Sequence, residues 1–68
     1  MKHYLATSTQ YQGCVVIGPG YDADGRVRFI VKYGFRYTDY RTNIRDPLRL
    51  MNIIRRAVVE QKAKGAGI

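Results

Sequence analysis

Sixty-eight residues, 46% of them hydrophobic, make one small domain, and a single cysteine excludes an intramolecular disulfide. A chain this short buries only about 60% of the surface its unfolded form exposes, so apolar packing or a partner must supply the stability. The net charge of +7 is concentrated, because residues 26–68 carry eight Arg and three Lys against Asp39, Asp46 and Glu60, whereas residues 1–25 are net negative by one.

Residues 1–12, which include "HYLATSTQ", supply an N-terminal arm or a fourth, edge strand. They are too polar for the apolar region of a signal peptide, and no run in the chain approaches the roughly 20 apolar residues of a membrane span. A cytoplasmic location is expected, the host cytoplasm if the chain is phage-encoded, and an unpaired Cys14 agrees with it. "GCVVI" (13–17) is β-branched and apolar and predicts a strand. "GPGYDADG" (18–25) is dense in turn residues and predicts a loop.

"RVRFIVKY" (26–33) alternates cationic and apolar side chains, so a strand here has one core face and one basic face. A tight reversal at 33–35 uses Gly34 and leads to a third strand, "RYTDYRT" (36–42). A three-residue loop, Tyr33-Gly34-Phe35, keeps the Arg36 guanidinium out of the core and sets Arg36, Thr38 and Tyr40 beside Lys32, Ile30 and Arg28. Asp46 is a good N-cap and Pro47 a good first helical residue, which predicts a helix over 47–63 closed by Gly65. At 3.6 residues per turn, Leu50, Met51, Ile53, Ile54, Ala57 and Val58 share its docking face, and Arg49, Asn52, Arg55, Arg56 and Lys62 lie around its back.

The expected architecture is therefore α+β. A three-stranded antiparallel sheet, with the N-terminal segment as a possible fourth strand, packs on one C-terminal helix. The βββα domain spans 13–64 and a tail spans 65–68. The sheet face away from the helix carries Arg26, Arg28, Lys32, Arg36, Thr38 and Tyr40, and these together with Arg41 are the candidate DNA-binding residues. Tyr40 is expected to be functional and Tyr37 to fill the core.

No enzyme, cofactor or metal is expected. The Gly-rich 18–20 does not open into a helix as a phosphate loop must, and "DADG" (22–25) lacks the later ligands of a calcium loop. One Cys and one His cannot make a structural zinc site. Asp39 and Glu60 are single and far apart in sequence, and Cys14 sits in an apolar strand, so no acid–base pair or activated nucleophile assembles.

A basic sheet face suits duplex DNA. The major groove admits a β-ribbon, arginine pairs bidentately with guanine, and neighbouring cations hold phosphates. The RNA major groove is too narrow for this, which makes an RNA-binding module the weaker reading.

The run "VRFIVKYGFRYTDYRTNIRDPLRLMNIIRRAVVEQ" (27–61) resembles the N-terminal arm-binding domain of phage-type tyrosine recombinases, which is related to the AP2 fold. The similar features are the alternating strand from Arg28 to Lys32, Gly34, the Arg36-Tyr37 pair, Thr42-Asn43-Ile44, and the helix from Asp46. Asn43 stands where that family has Gly and tolerates the same left-handed conformation. The resemblance implies a sheet-and-helix DNA-binding module of phage or mobile-element origin, with the sheet in the major groove. An alternative partner is a host protein or nucleoprotein complex that the chain would inhibit, as anti-defence proteins do.

Overall fold

The structure is a computed structural model and describes residues 7–66. Strands β1 (Ser8–Tyr11), β2 (Cys14–Tyr21), β3 (Val27–Tyr33) and β4 (Arg36–Thr42) form one antiparallel sheet in chain order, and helix α1 (Pro47–Ala66) crosses one face. The fold is α+β, as expected, with four strands. Residues 8–11 of the N-terminal segment form the edge strand, while residues 1–6, with His3 and Tyr4, lie outside the described residues.

Each hairpin follows from its turn residues. Tyr11 pairs with Cys14, leaving Gln12 and Gly13 as a two-residue turn in which both φ angles are positive, the type I′ pattern. Tyr33 pairs with Arg36, leaving Gly34 and Phe35, with positive φ at Gly34 alone, the type II′ pattern. Between β2 and β3 the Asp22 carboxylate accepts from the backbone N–H groups of Asp24 and Arg26, both within 3.1 Å.

"GPG" is not loop, contrary to expectation. Residues 18–20 continue β2, and the register shifts by one residue between Ile17 and Gly20, so the extra residue is absorbed as a bulge. Asn43 does not adopt positive φ.

The core joins Cys14 and Val16 of β2, Phe29 and Val31 of β3, and Ala57 and Val58 of α1, with Val27 buried beside them. Phe29 is wholly buried, and the Tyr40 ring stacks on it with centroids 5.1 Å apart. The Asp46 carboxylate caps the helix by accepting from the Arg49 N–H at 3.0 Å, as its place before Pro47 predicts.

The helix runs past its expected end to Ala66. Gly65 does not close it but lies inside it, where a Cβ would come within 2.7 Å of the Tyr33 ring, so the helix approaches β3 closely there. Met51 faces the sheet as expected, lining an open apolar crevice with Thr9, Tyr11, Val16 and Ile54, but it is left 55% exposed there.

The expected β3–β4 register is off by one residue. The loop is Gly34-Phe35 rather than Tyr33-Gly34-Phe35, so Phe29 faces Tyr40 and Val31 faces Thr38. Arg36 shares the helix-side parity without entering the core, because it begins an edge strand and stays exposed. Thr38 donates its hydroxyl to Oε1 of Gln61 at 2.8 Å, and Gln61 is buried. Thr38→Val should therefore destabilise the domain by about 1–3 kcal/mol, the cost of leaving a buried acceptor unpaired. Tyr37→Ala should leave the thermal midpoint nearly unchanged. Equal midpoints for wild type and Thr38→Val in a calorimetric scan would return Thr38 to the open face.

Candidate nucleic-acid interface

The sheet face away from α1 is built by strand parity from all four strands. Ser8 and Gln10 come from β1, Val15 and Ile17 from β2, Arg28, Ile30 and Lys32 from β3, and Tyr37, Asp39 and Arg41 from β4. Its middle is an apolar strip of Val15, Ile17 and Ile30, each half-buried, with Ile17 directly opposite Ile30. Its β3–β4 side is charged and aromatic. Lys32 is exposed, Tyr37 opposite it is 67% exposed, and Arg41 lies opposite Arg28.

Arg28 and Lys32 sit on this face as expected, and the one-residue register difference brings Arg41 to it as well. Arg26 is exposed just before β3. Arg36, Thr38 and Tyr40 do not join them, since the one-residue register difference turns all three toward the helix side. Tyr40 is half-buried on Phe29 and donates its hydroxyl to Glu60 at 3.3 Å. Burial first, and then Glu60, pushes its phenol pKa up. The expected roles of the two tyrosines are thus reversed, with Tyr40 in the packing and Tyr37 on the surface. Phe35, fully exposed at the tip of the β3–β4 hairpin, was not a candidate either. The signal for both was Gly34, because a glycine in the first central position marks a two-residue type II′ turn.

Electrostatically, Arg28 is the most organised group on the face. Its Nε and Nη2 donate to both carboxylate oxygens of Asp39 at 2.7–3.0 Å, a bidentate pair between diagonal neighbours on β3 and β4. The hydrogen bond from Arg28 holds the Asp39 carboxyl below its ordinary pKa, and the same bond raises that of Arg28. Arg41 lies 3.9 Å from the Asp22 carboxylate. A depressed carboxyl pKa in the folded state means that the pair adds stability above the ordinary carboxylate range. That contribution is lost as pH falls through the lowered value of Asp39. In a carboxyl-detected NMR titration Asp39 should therefore titrate below the ordinary aspartate range, and Arg28→Ala should move it back up. No movement on that substitution would remove the pair as the cause.

The remaining cations are elsewhere. Arg45 donates to the Gly25 carbonyl and lies 5.4 Å over the Tyr21 ring, which fastens the loop before the helix to the β2–β3 turn. Arg55 donates to the Tyr11 hydroxyl at 3.2 Å. Arg49 and Arg56 border a groove on the β4 flank of the helix.

Cys14 is buried, and burial raises its thiol pKa, which keeps it in the protonated, packing form. Among the described residues no three of His, Cys, Asp and Glu lie close enough to hold a metal ion, and no helix is long and apolar enough to cross a membrane. Comparisons with protein-family models, with curated proteins and with solved structures give no match for this chain.

Proposed function

We propose that the chain is a duplex-DNA-binding module of phage or mobile-element type that lays its open sheet face in the major groove. The observation that carries this reading is the uncovered face itself, where Arg28, Lys32, Tyr37 and Arg41 converge from two adjacent strands beside an apolar strip. Each part has a counterpart in a groove. Lys32 and Arg41 suit phosphates, and the apolar side chains of Ile30 and Ile17 suit the thymine methyl. Arg28, fixed by its bidentate pair with Asp39, suits the O6 and N7 acceptors of guanine. The resemblance of residues 27–61 to recombinase arm-binding domains points to the same docking.

The test is a titration of labelled duplex with alanine variants, each checked for folding by circular dichroism. Lys32→Ala and Arg41→Ala should weaken binding to all sequences, whereas Thr38→Ala should not act through contact. Asp39→Asn should tighten binding to random duplex, since it removes a negative charge and frees Arg28, and should flatten any sequence preference. If Lys32→Ala and Arg41→Ala bind duplex as wild type does, the open face is not a DNA surface. A nuclease-resistant complex with a host protein would then take its place.

A further inference from the structure

A second surface of the molecule is built quite differently. Strand β4 is an edge strand and, among the described residues, pairs only with β3. It is seven residues long, contains neither Pro nor a bulge, and keeps an unbroken register with β3 from end to end. Natural edges are usually blunted by a short strand, a Pro, a bulge, a covering element or charged side chains, and of these β4 has only the last, in Arg36, Asp39 and Arg41.

Its free polar groups can be identified from the turn. The residues flanking a two-residue hairpin turn form a hydrogen-bonded pair, and bonded pairs alternate along an antiparallel ladder. Tyr33 and Arg36 flank the turn, so Arg36, Thr38, Tyr40 and Thr42 bond inward to β3. The N–H and C=O groups of Tyr37, Asp39 and Arg41 therefore point outward.

Beside this edge lies a groove of about 780 Å³. Ile44, two residues past β4, and Ile53 and Val59 of the helix give it an apolar lining, and Arg49 and Arg56 give it positive charge. Glu60 also lines it, but its carboxylate is engaged, accepting from Tyr40 at 3.3 Å and lying 3.9 Å from Lys64.

From the edge and the groove together we infer that β4 is a docking edge for an extended acidic segment of a partner protein, added as a fifth strand. Every second side chain of such a strand faces the groove, where apolar residues meet Ile44 and Ile53 and carboxylates meet Arg49 and Arg56. A second copy of this chain is a poor occupant. Each copy carries a net +7, and β4 of the copy brings Arg36 and Arg41 against cations of the same sign. Nucleic acid is a poor occupant as well, since phosphates offer acceptors only and leave the outward carbonyls of β4 unpaired. This surface is separate from the open sheet face and does not depend on DNA binding there.

The test uses the full chain and a blocked synthetic peptide as long as β4, in which Val and Glu take turns at every second position with Thr between them, so that one face carries both. Binding is read by fluorescence anisotropy and by amide hydrogen exchange in NMR. The peptide should slow exchange at the Tyr37, Asp39 and Arg41 amides and shift the Ile44 and Ile53 methyl signals. The double change Arg49→Glu and Arg56→Glu should weaken it by about tenfold or more, as expected on reversing charges that face charges. A peptide with Pro at alternate positions, unable to complete the ladder, should not bind. Equal binding of the Pro peptide, or no protection of those three amides, overturns the inference. So does a shift of the Ile44 and Ile53 signals by duplex DNA in place of the peptide, and so does a doubling of mass in sedimentation, which assigns the edge to a second copy.

Discussion

Phe29→Ala should unfold the domain. Phe29 is the largest fully buried side chain, and it joins the β3 layer to both the helix and the Tyr40 ring. Truncating a buried Phe costs about 3–5 kcal/mol, because the lost transfer energy is compounded by the cavity left behind. Domains hold about 0.05–0.15 kcal/mol per residue, so a chain of this length has a total of roughly 3–10 kcal/mol. The loss is comparable with that whole, and the helix, which is too basic and too weakly apolar to persist alone, should melt with the sheet. Far-ultraviolet circular dichroism at 25 °C, with Phe29→Leu as the milder change and Arg28→Ala as the surface control, checks this. Arg28→Ala should stay folded, as its ion pair with Asp39 is solvent-facing. A folded Phe29→Ala alongside a molten Arg28→Ala would exchange the two faces of the sheet.

That assignment of faces was legible in the alternation of residues 26–33, and the helix in Asp46-Pro47 and the apolar positions after it. Both signals are local. The register of β4 was not legible by the same rule, which takes helix-side parity for burial all along a strand and so turns Arg36 away from the core to avoid an unpaired guanidinium. On an edge strand the two are separate, and Arg36 keeps the parity while its long side chain reaches water.

Gly34-Phe35 carried the correct answer in its turn chemistry, and so did Gln12-Gly13 for the N-terminal strand, where Gln stands in the place that Asn more often takes. The strand through "GPG" was hidden for another reason. Gly and Pro mark a break in a regular strand, and a bulge is such a break without being the end of one. The candidate site suffered accordingly. The cations of β3 were placed on the correct face, while the single-residue difference brought Tyr37 and Arg41 to it and took Arg36, Thr38 and Tyr40 away.

Duplex binding should weaken with salt, but less steeply than the charge of residues 26–68 alone suggests. Six neutralised phosphates would lower affinity about 10³-fold between about 50 and about 200 mM salt. The geometry reduces that number. Arg28 is already paired with Asp39, Arg45 is committed to Gly25 and Tyr21, and Arg49, Arg55 and Arg56 belong to the helix rather than to the sheet face. Lys32 and Arg41 remain on the face, with Arg26 exposed at its margin, while Arg36 has the helix-side parity. Three phosphate contacts give a slope of about −2.7 in log affinity against log salt, or a fall of roughly 40-fold over the same range. Lys32→Ala should reduce the slope by about one unit, and Arg28→Ala should lower affinity on a preferred site with the slope unchanged. A wild-type slope steeper than about −6 would require the helix arginines as well, and with them a different docking, in which the helix flank and not the open sheet lies against the duplex. A slope of zero would remove DNA as the ligand of this face.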